Sequence, residues 1–245
     1  MFTKLVIKSV AGATAVGATL ALSLVATPAV VTSAPEIRTV ACAYPDSIAT
    51  LADVTLRRVA APYGTSNLAS VTVERTDTGG AATGSVRFTV ASGGSVYSAA
   101  TVTLSGGSAS WTMPSRLPSS RTYTVRADYR PTCRFRADSD AAFYTVYRAR
   151  TNTSVEVRNV NRGVTPVARG FVASPSPLNP PGRVRIVVTR RAVEVHRETV
   201  QLQGGAFSAS LRRFRPGYFQ VEATYLGSTH YKSSKGEDDF RVFRR

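Results

Sequence analysis

Gly84-Ser85-Val86-Arg87-Phe88 returns 98 residues later as Gly182-Arg183-Val184-Arg185-Ile186, and Leu104-Ser105-Gly106-Gly107 returns at the same distance as Leu202-Gln203-Gly204-Gly205. At a distance of 96, Tyr123-Thr124-Val125-Arg126-Ala127-Asp128-Tyr129 is matched by Phe219-Gln220-Val221-Glu222-Ala223-Thr224-Tyr225, and Tyr144-Thr145-Val146 by Phe240-Arg241-Val242. Four segments in the same order at near-constant spacing mean one unit used twice. The period is too long for a solenoid repeat and suits a domain of about 100 residues with its own core. The chain must therefore solve one small folding problem two times over.

The unit is built of strands. Val86, Phe88 and Val90 alternate with polar neighbours, as do Tyr123, Val125, Ala127 and Tyr129. A period of two with β-branched and aromatic residues marks half-buried strands. Thr78-Gly79-Gly80, Ser92-Gly93-Gly94, Ser105-Gly106-Gly107 and Pro118-Ser119-Ser120 supply the turns. Abundant Thr, Ser, Val and Gly, with no long run of strong helix formers after residue 35, point the same way. Short strands with frequent turns predict sandwiches or barrels, over residues 48–149 and 150–245. The joint at Tyr147-Arg148-Ala149-Arg150-Thr151 is short and lacks Gly and Pro, so the units are expected end to end with limited swing.

Residues 1–34 read as a secretory signal peptide. Lys4 and Lys8 form a positive start, and an uncharged, Ala-rich apolar stretch follows from Val10 to Val31. Ala29, Ala34 and Ala43 are candidate cleavage points. The stretch nearly reaches bilayer length, so an uncleaved anchor is the alternative. The closing segment Asp239-Phe240-Arg241-Val242-Phe243-Arg244-Arg245 has neither an apolar anchor nor a sortase motif. The expected location is secreted or extracellular, with association at the cell envelope. Residues 35–47 form an N-terminal segment carrying Cys42. Cys42 and Cys133 are the two cysteines, and an even count in an exported chain points to a disulfide, with two unpaired thiols as the alternative.

These motifs resemble the bacterial Ig-like domains of the group 3 type, found in tandem in exported actinobacterial proteins. The first copy carries Thr83-Gly84-Ser85-Val86-Arg87-Phe88, Leu104-Ser105-Gly106-Gly107-Ser108-Ala109, Leu117-Pro118 and Val125-Arg126-Ala127-Asp128-Tyr129. The second carries Pro216-Gly217-Tyr218 and Val221-Glu222-Ala223-Thr224-Tyr225, running on to His230-Tyr231. The family's Gly-Asp turn is replaced by Arg130-Pro131-Thr132-Cys133 and by Gly227-Ser228. The resemblance implies an all-β chain of two consecutive Ig-like β-sandwich domains after the signal helix. It implies no catalytic residues; with the repeat and the signal, the expectation is a non-catalytic spacer, adhesion or recognition module with no metal and no cofactor.

The residues themselves give no catalytic constellation. His196 and His230 have no Cys, second His or carboxylate at ligand spacing, and both are expected to be solvent-exposed. No nucleophile elbow, zinc-protease helix or P-loop motif occurs. Asp138-Ser139-Asp140 and Glu237-Asp238-Asp239 match no EF-hand spacing and are expected to be solvated loops before the last strand of each unit. Trp111 alternates with Ala109 and Met113 and is expected in a core or at an edge.

Charge is the remaining signal. The net charge is +16, and apart from Lys4, Lys8, Lys232 and Lys235 every basic residue is Arg. A GC-rich genome accounts for such a bias, and so does a surface for polyanions. If Val184 and Ile186 face inward, Arg183 and Arg185 face outward, with Arg241 and Phe243 on the last strand of the same sheet and Glu222 between them. Arg87 and Arg126 hold the matching places in the first unit. These five arginines are the candidate binding residues, against the plainer role of blunting sheet aggregation. The candidate partners are an anionic envelope polymer or another surface protein; nucleic acid is disfavoured, and membrane contact would come only through an uncleaved N-terminus.

Overall fold

The computed structural model describes residues 47–244. The signal segment, residues 35–46 with Cys42, and Arg245 lie outside the described residues, and so does the Cys42 end of the expected disulfide.

The described chain is all-β. In the first copy β1 (Thr50–Leu56), β3 (Asn67–Arg75) and β6 (Ser108–Met113) form a three-stranded sheet in the order β1-β3-β6. Facing it are β2 (Ala60–Pro62), β8 (Ser139–Tyr147), β7 (Arg121–Pro131), β4 (Gly84–Ser92) and β5 (Ser95–Thr103), in the order β2-β8-β7-β4-β5. The second copy repeats this with β9 (Asn152–Val157), β11 (Val167–Ala173) and β14 (Ala206–Ser210) facing β10 (Val160–Asn161), β16 (Ser234–Phe243), β15 (Gly217–Tyr225), β12 (Arg183–Arg190) and β13 (Val193–Gln201). Even the short parallel pairings recur, β2 with β8 and β10 with β16. The chain is two consecutive Ig-like β-sandwiches, and the sequence repeat is a repeat of topology.

Alternation builds each core. Val86, Phe88 and Val90 of β4 and Tyr123, Val125 and Ala127 of β7 have no exposed surface, and they pack across the sandwich on Ala69, Val71 and Val73 of β3. Val184, Ile186, Val188, Val221, Ala223 and Tyr225 do the same in the second core. Trp111 on β6 stacks on Phe88 with ring centroids 5.9 Å apart, partly buried at the edge of the first core.

Buried tyrosines satisfy their hydroxyls on nearby carbonyls, as a phenol must when removed from water. Tyr129 donates to Thr83 O at 2.6 Å, and Tyr225 to Pro181 O at 2.7 Å. Near the start of β7, Tyr123 donates back to Pro118 O at 2.6 Å, the corner device of Ig sandwiches. The second copy has Phe219 there, packed on Phe214 (4.8 Å) and Phe240 (5.3 Å), with the Arg190 guanidinium 5.5 Å from its ring centre.

The acidic clusters are not solvated loops. Asp140 lies within β8, Glu237, Asp238 and Asp239 lie within β16, and Asp138 immediately precedes β8. Asp138 and Asp140 accept the backbone N–H groups of Ala52 and Val54, each at 2.8 Å, and Asp238 accepts that of Val157 at 2.7 Å. These carboxylates stand in for a missing strand at the edges of β1 and β9, where an orphan N–H would be unfavourable. The tight β4–β5 turn also differs between copies. Gly93 and Gly94 adopt φ of 56° and 79°, whereas Arg191 and Ala192 take the same left-handed conformation at 52° and 62°.

Candidate functional site

Register decides which candidate residues meet. On β12 the inward Val184, Ile186 and Val188 leave Arg183 exposed and Arg185 half-buried on the outer face. Arg185 pairs across to Thr224 and on to Lys235, whereas Arg241 pairs with Tyr218, six residues from Thr224 along β15. At about 3.4 Å per residue the two arginines stand roughly 20 Å apart. Glu222, Glu237 and Asp239 lie on the outer face between those rows. The second outer sheet is therefore not one basic face: Arg183, Arg185 and Lys235 occupy one end, a belt of carboxylates follows, and Arg241 stands beyond it.

The belt takes up part of the charge. Lys235 donates to Glu222 at 3.0 Å and Thr224 donates to it at 2.8 Å. Those bonds, with Arg185 adding its field, hold the Glu222 carboxyl below its ordinary range. Arg241 is clamped between the exposed rings of Tyr218 (4.7 Å) and Phe243 (5.0 Å). In the first copy Arg87 is exposed on β4, and exposed Arg126 on β7 donates to Asp128 at 2.6 Å, the residue that pairs with Arg87 across the strands. Arg126 is thus partly neutralised, and the two copies do not share one arginine pattern.

Neither histidine is solvent-exposed. The His196 side chain is 18% exposed, with Nε2 3.5 Å from Glu198 Oε2 outside hydrogen-bond geometry. His230 is half-buried where the two sandwiches meet. Its ring stacks on Tyr63 with centroids 4.1 Å apart and planes 11° from parallel. The Ser119 hydroxyl lies 3.0 Å from both His230 Nδ1 and Thr229 O, and it donates to one at a time. Desolvation at this joint lowers the His230 pKa from its ordinary value. Among the described residues, no three His, Cys, Asp or Glu side chains gather as metal ligands.

The joint itself is a built surface. Arg148 Nη2 donates to Ser228 O at 2.7 Å and Tyr231 O at 2.5 Å, and Tyr63 meets Tyr231 edge-on at 5.7 Å. Gly64, at φ of 87°, lies so close to the second copy that a Cβ there would stand 1.9 Å from Ser176 Oγ and 3.1 Å from Ser176 Cβ. The sequence places His230-Tyr231 at the end of a family motif and gives no sign that Tyr63 and Gly64 face it. Their separation along the chain hides the contact; the one available signal was a joint without Gly or Pro.

No protein-family model matches the chain. No curated protein matches it. Among solved structures it is similar to the titin domains Z1Z2 in complex with telethonin, with 16% identity, 82% of this chain and 99% of that chain covered, and a TM-score of 0.44. It is also similar to the D0-D1 domain of intimin, with 18% identity, 78% of this chain and 100% of that chain covered, and a TM-score of 0.31.

Proposed function

We propose that this chain is a non-catalytic, exported module of the bacterial group 3 Ig-like type, acting as a spacer, adhesion or recognition element at the cell envelope. One observation supports this above the others. Tyr63, Gly64, Ser119 and Arg148 from one end of the first sandwich interlock with Ser176, Ser228, Thr229, His230 and Tyr231 of the second. Contacts of this kind, beside a joint without Gly or Pro, hold two domains as one body; a tether would have a polar, flexible linker and few crossing contacts. A body of set geometry suits holding a surface at a distance.

Small-angle scattering on the secreted chain tests the geometry. A narrow distribution of interdomain distances is expected, and a broad one overturns the spacer role. Cell fractionation tests the location: the chain belongs in the medium or envelope, processed near Ala29 or Ala34, with Cys42 and Cys133 unreactive to thiol reagents until reduced. A cytoplasmic chain of full length overturns export. A hydrolase or transferase activity that one polar substitution abolishes without unfolding overturns the non-catalytic reading.

A further inference from the structure

The pole of the second sandwich away from the joint carries a different kind of surface. Arg162 after β10, Arg190 at the end of β12, Arg215 before β15 and Arg244 after β16 line, with Pro216, an open depression of about 760 Å³. Four arginines from four separate segments thus share one depression. No ion pair among the described residues includes any of them. Arg190 is preset, donating to Pro216 O at 3.1 Å and lying over the Phe219 ring.

Topological equivalence shows what these arginines replace. The Tyr63 N–H donates to Tyr147 O, and the Arg162 N–H donates to Phe243 O, so Tyr63 and Arg162 hold the same place after the same parallel pairing. Arg148 and Arg244 sit alike at the ends of β8 and β16, and Ser119 and Arg215 each stand two residues before β7 and β15. In the first sandwich, Tyr63, Ser119 and Arg148 are the residues that grip the second. In the second sandwich all three positions are arginine, and Arg190 adds a fourth where the first copy has Ser92. Arg148 is the one cation among the three docking positions of the first copy, whereas in the second arginine also takes the places of Tyr63 and Ser119. The adjoining turn agrees: Arg191 and Ala192 hold the left-handed conformation that Gly93 and Gly94 adopt without strain. Unpaired arginines held together against their mutual repulsion are suited to an anion of several charges, which guanidinium forks bind by paired hydrogen bonds.

We infer that this depression binds a linear phosphate-bearing polymer through Arg162, Arg190, Arg215 and Arg244. Its volume of about 760 Å³ has room for more than one phosphate group. Its lining has no aromatic ring on which a base could stack, so a non-nucleotide phosphate chain fits better than single-stranded nucleic acid. The site is independent of the spacer role above, and its loss would leave that role standing.

The test uses the full mature chain and inorganic polyphosphate, titrated calorimetrically at 20 and 200 mM salt. Binding should weaken steeply with salt. The triple substitution Arg162→Gln, Arg215→Gln and Arg244→Gln should lower affinity at least tenfold and reduce the salt slope by about 2, with an unchanged circular dichroism melt. The charge-matched triple Arg87→Gln, Arg126→Gln and Arg183→Gln should change affinity less than threefold. No binding at 20 mM salt, or equal losses in both triples, overturns the site. Tighter binding of single-stranded DNA with the same number of phosphates, or of a polycarboxylate such as polyglutamate, overturns the ligand class.

Discussion

Tyr123→Phe removes one hydroxyl and nothing else from the first sandwich. Tyr123 is fully buried, and its OH donates to Pro118 O at 2.6 Å. The substitution leaves that carbonyl without its partner, which costs about 2 kcal/mol, within a range of about 1–3. With a urea m-value of about 1.5 kcal/mol/M for a domain of this size, the unfolding midpoint should fall by about 1.3 M at constant m. The chain supplies its own reporter: Trp111 is the one tryptophan and lies in the first core against Phe88, so tryptophan fluorescence follows the first sandwich. The second has Phe219 at the equivalent corner and loses nothing. Alkaline titration adds a check with a defined sign. Burial pushes the Tyr123 phenol from an ordinary 10 up to about 12. A folded value above the unfolded one contributes stability that is complete below pH 10 and is lost as pH rises through 12. The gap between the native chain and the Phe variant should therefore close across that window. A midpoint shift under 0.3 M, taken as about a quarter of the expected value, would refute the corner hydrogen bond as a stabilising element, and a gap constant from pH 9 to 12 would refute the burial of the phenol as the cause of its raised pKa.

Three further outcomes follow from the same structure. Because burial lowers the His230 pKa, its neutral form supports the joint fully above the unfolded value, and that support is lost as pH falls through the lowered one; energy transfer between dyes on the two sandwiches should broaden as pH falls below the ordinary imidazole value of about 6.5, and His230→Gln should remove the pH dependence. Gly64→Ala places a methyl against Ser176 at a positive φ and should loosen the joint, seen by scattering as a wider interdomain distribution with the Trp111 transition lowered by about 1 kcal/mol from backbone strain. Asp238→Ala leaves the Val157 N–H orphaned and should destabilise the second sandwich by about 1–3 kcal/mol, with faster hydrogen exchange at Val157 and its β9 neighbours.

Strand alternation and the duplicated motifs were enough to expect two sandwiches, because both signals are local: Val86, Phe88 and Val90 announce their buried face without reference to any other strand. What the sequence could not carry was relative register. Arg185 and Arg241 look like neighbours when strands are drawn side by side, and the pairing through Thr224 and Tyr218 sets them at opposite ends. The same holds for Asp138 and Asp140, whose partners Ala52 and Val54 are 86 residues away, and for His230, which meets Ser119 across 111 residues. A charged or titratable side chain reads as surface until the backbone group or ring that receives it is known. The arginine basin escaped notice for a related reason: Arg162, Arg190, Arg215 and Arg244 are unremarkable one at a time in a chain with net charge +16.

The carboxylates at the sheet edges bear on how the molecule behaves in a crowd. An outermost strand offers a row of N–H groups to any passing chain, and this is the usual opening for fibril growth. In β1 the N–H groups of Ala52 and Val54 already belong to Asp138 and Asp140, so an incoming strand would have to displace a charged acceptor at each of them. At the opposite side, β4 and β5 slip register between Val90 and Ala91, and β12 and β13 between Val188 and Thr189. A kinked rim is a poor template for straight addition. Edge-to-edge addition between copies of the chain is thus disfavoured at these strands, and replacing Asp138 and Asp140 by Ala should be the change under which that protection fails.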